Sequence, residues 1–207
     1  MSDRKLHWEA VFTNKQPHEV SWTQEVPQTS LNFIDSFNLP KTAGIIDIGG
    51  GDSLLVDFLL KKGYRDITVL DISEQALERA KARLGLKANL VKWIVCDITE
   101  FETQRQYDIW HDRAAFHFLT TDAQVEKYLA VAQKAVSGFM TIGTFSKQGP
   151  AKCSGLEVRQ YSEEKLQEKL AGSFQKIRCI TEDHITPFKT IQNFLFCSFS
   201  AKKALPN

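Results

Sequence analysis

The segment IIDIGGGDS sets an acid, Asp47, two residues ahead of three consecutive glycines, Gly49, Gly50 and Gly51, with Ser53 at the head of a helix-period stretch. Glycines let a backbone take positive φ and let a ligand approach without meeting a Cβ, so the turn has the chemistry of a nucleotide-type binding loop. The dinucleotide fingerprint needs a third glycine where Leu54 stands, and the phosphate loop needs a Gly-Lys-Ser/Thr that is absent. An acid ahead of the glycines suits instead a ligand that presents a positive charge. TVLDIS places Asp71, followed by Ile72, about 20 residues beyond the glycines, where a carboxylate can take both hydroxyls of a ribose. NAD-dependent enzymes share that acid, so Asp71 alone does not separate ligand classes. IVCDIT places Asp97 before Ile98, an acid beside an apolar side chain, which suits the amino group and the face of an adenine. Each acid also reads as a helix N-cap, a position that favours Asp whatever the function. Three of them in register with a glycine turn point to a site.

A second concentration of chemistry is DIWHDRAAFHFLT. Imidazole titrates near neutral pH, which makes His111 the candidate general base, with Asp112 to orient it or to hold a cationic acceptor. In the competing reading Asp112 caps the next helix and Arg113 pairs with it; His117 is read as a satisfied core histidine. No ligand spacing among His111, Asp112, His117 and His184 supports a metal site. Trp8, Phe12 and Trp22 precede this region and read either as a lid over the ligand or as plain packing of an N-terminal arm. Cys153, in GPAKCSGLEV, reads either as a nucleophile or soft ligand or, preferred because no paired base can be assigned, as an incidental thiol in a surface loop.

These residues need a scaffold, and the pattern from Ile45 to Phe145 supplies one. A short apolar run, a turn residue and a helix-period stretch closed by glycine repeat along it, the rhythm of a parallel α/β sheet with right-handed crossovers. Strands are expected at Ile45–Ile48, Ile67–Leu70, Leu90–Cys96, Tyr107–Trp110 and Phe139–Thr144. Helices are expected at Ser53–Lys62, around Ala76, Leu77 and Ala80 up to Leu84, and from a Thr121/Gln124 capping box to Val136. Beyond Gln148 come a helix over about Glu163–Ala171 and two strands, Phe174–Ile180 and Phe194–Phe199. The second is apolar enough to be buried on both faces. One domain is expected, with residues 1–40 as an N-terminal arm or lid with a helix and 41–207 as the binding domain.

Lys+Arg number 26 against Asp+Glu 25, so no excess of positive charge favours nucleic acid as a partner. Hydrophobic residues at 43% and charged residues at 25% are ordinary globular usage. Cys96, Cys153, Cys179 and Cys197 are dispersed without a CxxC pair, so reduced thiols are expected rather than zinc or disulfides. With neither a signal-peptide core nor a membrane-length apolar run, a cytoplasmic protein with no membrane partner is expected.

Over about Lys41–Thr144, IIDIGGGDS, VLDIS and CDIT resemble motifs I, II and III of the class I S-adenosylmethionine-dependent methyltransferases. The resemblance implies a three-layer α/β sandwich around a seven-stranded, mostly parallel sheet whose last strand is antiparallel. It implies S-adenosyl-L-methionine as cofactor and S-adenosyl-L-homocysteine as product. Asp47 and Gly49 then serve the methionine end, Asp71 the ribose and Asp97 the adenine, with Gly50, Gly51, Ser53, Ile72, Ile98 and Trp22 completing the cofactor set. Ser53 departs from the family, many members of which have glycine there. The position where nucleobase amino-methyltransferases carry Asn/Asp-Pro-Pro-aromatic holds His111-Asp112-Arg113, which argues against DNA bases. WEAVF, VSW and DIWHDRAAFHFL are loosely similar both to thiopurine-type small-molecule methyltransferases and to elongation-factor lysine methyltransferases. A small-molecule nucleophile, a thiol among the candidates, is therefore the leading acceptor, and protein lysine the alternative. A binding module without turnover and a nucleotide-dependent oxidoreductase are the readings from other classes.

Overall fold

The computed structural model describes residues 3–202; the outermost residues of the expected arm and domain, 1–2 and 203–207, lie outside the described residues. The elements are α1 (Asp3–Asn14), α2 (Gln28–Ser36), β1 (Gly44–Ile48), α3 (Leu55–Lys61), β2 (Asp66–Asp71), α4 (Glu74–Leu84), β3 (Val91–Val95) and β4 (Tyr107–Arg113). They continue with α5 (Asp122–Ala135), β5 (Val136–Phe145), the short hairpin β6 (Lys152–Cys153) and β7 (Leu156–Glu157), α6 (Glu163–Leu170), β8 (Phe174–Ile185) and β9 (Ile191–Ala201). Seven strands form one sheet in the order β3-β2-β1-β4-β5-β9-β8, with β9 antiparallel to both of its neighbours.

Alternation along the strands divides the core. Ile45, Val69 and Ile109 face α2, α3 and α4, where they meet Leu31, Leu55 and Leu77. Ile46, Leu70 and Trp110 face the other way, onto Val125 and Tyr128 of α5 and Leu166 of α6. α4 and α5 start where side chains satisfy free N–H groups: Ser73 accepts from Ala76 N at 3.1 Å, and Thr121 and Gln124 form the expected reciprocal capping box.

Some boundaries differ from expectation. The helix expected from Ser53 begins at Leu55, because Ser53 stays in the turn, donating its N–H to Gly50 O at 2.9 Å and accepting from Leu55 N through Oγ at 3.2 Å. The last two strands run past the core into a long hairpin, so that Ile185 and Ile191 are exposed, while Phe194–Phe199 is buried throughout as its composition implies. The expectation of four reduced thiols is corrected. Cys179 and Cys197 are register partners on β8 and β9, their Cα atoms 4.1 Å apart, and form a disulfide. Sheet pairing brings together two cysteines that spacing alone leaves unrelated. Cys153 is also buried rather than in an open loop, its Sγ 3.8 Å from Ser21 Oγ, and burial pushes its thiol pKa up. Among the described residues no helix is long and apolar enough to cross a membrane.

Candidate functional site

The chain leaves β1 through a turn that only glycine fits. Gly49 and Gly51 take φ of +63° and +49°, and a Cβ at Gly49 would stand 2.5 Å from the Ala115 Cβ. A Cβ at Gly50 would stand 2.6 Å from Asp47 Oδ2. The turn thus packs directly onto the chain leaving β4, and Gly50 N–H ties it to Leu70 O of β2.

The three acids stand at the ends of β1, β2 and just beyond β3, on one edge of the sheet. Asp47 is buried and pairs in register with His111 of β4. His111 Nδ1 lies 2.7 Å from Asp47 Oδ1 and Nε2 lies 2.8 Å from Ser30 Oγ, so both ring nitrogens have partners. Asp71 accepts from Ser73 N–H at 2.8 Å through Oδ1. Burial, with the negative charges of Asp52 and Asp47 nearby, raises its pKa to about 7. Asp97 accepts from Thr99 N at 3.0 Å and Thr99 Oγ1 at 2.8 Å, and pairs with Arg4 of α1 at 2.5 Å. Asp97 therefore caps the short turn that follows it and still lines the cavity, whereas Asp71 lines the cavity while fixing the N–H of Ser73, the residue that caps α4.

Two cavities adjoin along this edge. The first is lined by Gly49, Asp71, Ile72, Asp97 and Ile98, and the second by Asp47, Gly50, Gly51, Ser53 and His111; Gly49, Phe12, Trp22 and Arg113 line both. All ten residues expected to bind a cofactor thus border one continuous region. The arm covers it. Arg4 bridges α1 to Asp97, and Glu9 accepts from Ser73 Oγ and the N–H groups of Glu74 and Gln75 at the head of α4. Those bonds tie α1 to the cleft's edge, with Trp8 and Phe12 in its lining, where Trp8 packs edge-on against Trp22 at 5.7 Å.

The β4 residues are placed differently from expectation. Asp112 is fully buried on the face opposite His111, as strand alternation requires, and lines neither cavity. It accepts from Ala115 N at 3.2 Å, Phe116 N at 3.0 Å and Tyr128 Oη at 2.9 Å; burial raises its pKa to about 6. The capping alternative describes its contacts, whereas orientation of His111 and contact with a cationic acceptor do not. Arg113 is not paired with Asp112; it donates to Trp22 O at 2.9 Å. His117 accepts from Phe145 N at 3.3 Å and stacks on the Phe145 ring at 4.3 Å, and burial, aided by Arg113, pushes its pKa down to about 3. Sequence reasoning missed Arg4, 93 residues from its partner Asp97, and missed the separation of Arg113 from Asp112. No local signal marks either.

Residues 45–138 match the sequence family described as Methyltransferase domain. A 103-residue stretch, 49% of this chain, is 34% identical to the malonyl-[acyl-carrier protein] O-methyltransferase of Anoxybacillus flavithermus, and spans 38% of that protein. Among solved structures, the N-methyltransferase NodS of Bradyrhizobium japonicum, in complex with S-adenosylhomocysteine, aligns with a TM-score of 0.75 at 15% identity, covering 98% of this chain and 100% of that one. The Burkholderia thailandensis 1,6-didemethyltoxoflavin-N1-methyltransferase aligns at 0.70 and 20% identity, covering 97% and 88%. The matched family segment, less than half of the chain, runs from β1 into β5, through the glycine turn and all three strand-end acids, and the chain spans about two fifths of the length of the malonyl-[acyl-carrier protein] O-methyltransferases that it matches.

Proposed function

We propose that this chain binds S-adenosyl-L-methionine along the ends of β1, β2 and β3 and passes its methyl group to a small-molecule acceptor on the β4, β5 and β9 side. The observation that carries the reading is the acid-lined cleft. Asp47 and Asp71 face one glycine turn, with Asp52 close enough to raise the Asp71 pKa further. A pyrophosphate would meet repulsion there, whereas an ammonium group and two ribose hydroxyls meet acceptors. In this reading Asp47 takes the amino group, Asp71 the ribose hydroxyls, and Ile72 and Ile98 the faces of the adenine beside Asp97. When bound, the sulfonium supplies a methyl group on a neutral leaving group.

The protein's part is placement and exclusion of water. His111 holds the Asp47 carboxylate through Nδ1 and is itself held by Ser30, so we assign it the role of a positioning residue rather than the general base expected from sequence. Trp8, Phe12 and Trp22 cover the opening, which favours a small molecule over a protein side chain, and their aromatic faces suit a sulfonium cation. The curated relatives named malonyl-[acyl-carrier protein] O-methyltransferases support methyl transfer as the reaction. Calorimetric titration with S-adenosylmethionine, S-adenosylhomocysteine and NADH tests the proposal. Binding of the first two and not the third is expected; binding of NADH alone overturns it.

A further inference from the structure

Arg113 carries a charge that cofactor binding leaves unused. Its Nη1 donates to Trp22 O, and its guanidinium lies over the Phe194 ring, 4.8 Å from the centroid. Nε and Nη2 are shielded from solvent without a hydrogen-bond partner, and no ion pair reaches the group among the described residues. Glu182 and Asp47 favour its charged form but do not bond to it, and burial lowers its pKa only to about 10, so it is a cation at neutral pH. A shielded guanidinium with two unmet donors is costly unless a ligand completes it. Nε–H and Nη2–H lie on one edge of the planar fork, the edge that matches the two oxygens of a carboxylate.

The sheet order indicates whose carboxylate this is. The three acids stand at β1, β2 and β3, whereas Arg113 leans from β4 over Phe194 of β9, two places further along the sheet in the opposite direction. On that side the first cavity is walled by Trp8, Trp22, Phe118 and Phe145, flat apolar surfaces. An anion here also offsets the joint repulsion between the guanidinium and a sulfonium in the same enclosed space. Resting on the methyl-transfer reading, we infer that Arg113 anchors the carboxylate of the methyl acceptor, and that the acceptor is a small acid with a planar, apolar body. The carboxylate is the handle, and the atom that takes the methyl group lies elsewhere on the molecule.

The test uses the full chain saturated with S-adenosylhomocysteine and titrated calorimetrically with benzoate, salicylate and 2-naphthoate and with the corresponding amides. At least one acid is expected to bind the wild type about 10–100-fold more tightly than its amide. Arg113→Gln should erase that preference, and Arg113→Lys should retain part of it. Equal binding of acids and amides to the wild type, or binding of neither, overturns the inference. So does a loss of S-adenosylhomocysteine affinity in Arg113→Gln without loss of 5′-methylthioadenosine, which lacks the amino-acid end; that result assigns Arg113 to the cofactor's carboxylate. If Arg113→Gln fails to fold, the acid-to-amide ratio in wild type and in Arg113→Lys decides. Failure of wild type to bind S-adenosylhomocysteine at all is a different result, and it removes the methyl-transfer reading itself.

Discussion

The two halves of the cleft are built by different means. On the β1–β3 side each functional group lies within a few residues of the end of its own strand, and local backbone geometry aims it: the positive φ of Gly49 and Gly51, the Ser73 N–H on Asp71, the Thr99 N–H on Asp97. On the β4–β9 side the groups come from separate stretches of chain, with Trp8 and Trp22 from the arm, Arg113 from β4, Phe145 from β5 and Phe194 from β9. Local geometry transfers between proteins as a motif, whereas an assembly of distant side chains does not. A conserved type of ligand can be recognised by the first half while the second is free to differ.

The comparison breaks most sharply at the turn. Gly49→Val combines positive-φ strain with a Cβ against Ala115, costs that sum to about 2–6 kcal/mol. Loss of cofactor binding with a lowered melting temperature is expected. Normal affinity in a folded Gly49→Val protein would mean that the turn does not position the ligand.

Asp71 gives the next largest effect. Asp71→Asn should weaken S-adenosylhomocysteine about 10–100-fold, since hydrogen bonds to a charged group contribute about 1.5–3 kcal/mol. The pKa of about 7 adds a pH signature. Ribose hydroxyls donate to the carboxylate, so affinity should fall by up to about tenfold per pH unit as pH drops below 7, and Asp71→Asn should flatten this slope. Without ligand the sign reverses for folding. A carboxyl whose folded pKa is raised contributes stability below its unfolded pKa and loses it as pH rises through about 7, so chemical denaturation at pH 5 and pH 8 should show this group favouring the lower pH. A pH-independent cofactor affinity in the wild type would remove Asp71 from the ribose contact.

His111 sharpens the boundary between the halves. As a positioning residue, its replacement by alanine leaves the buried Asp47 carboxylate unpartnered, at about 1–3 kcal/mol, and should weaken cofactor binding, with partial recovery in His111→Asn. As a general base it would leave cofactor affinity intact and slow single-turnover methyl transfer by about 10²–10⁴-fold. Measuring both quantities in both variants separates the roles.

Arg4→Ala is the smallest expected change. A part-buried ion pair contributes about 1 kcal/mol, so cofactor affinity should shift about fivefold, and the shift should shrink in high salt. A much larger loss would make the arm an integral part of the binding site rather than a cover.

Much of this was legible beforehand. The alternation of apolar runs with helical stretches located every strand of the main sheet, because turn residues bound the strands and three of the helices carry their own cap, at Ser73, Thr121 and Ser162. Nine of the ten candidate cofactor residues border one region because, in a parallel sheet, residues near the ends of successive strands share an edge; Trp22 reaches it from the arm. Asp112 and His111 were harder. They are adjacent in sequence, yet alternation sends one side chain into the α5 face and the other toward Asp47, and whether the even or the odd residue faces the cleft depends on strand register.

The sequence by itself determined the order of strands and helices, the glycine turn and the line of acids, all of which depend on residues a few positions apart. Only the tertiary structure decided what was paired across long separations. It set Cys179 against Cys197 and Arg4 against Asp97, gave both nitrogens of His111 partners, and left Arg113 with two donors unmet. The physical reason is one of range. Capping and φ preferences act within a turn of chain, whereas burial and the meeting of charges depend on which surfaces the completed sheet brings into contact.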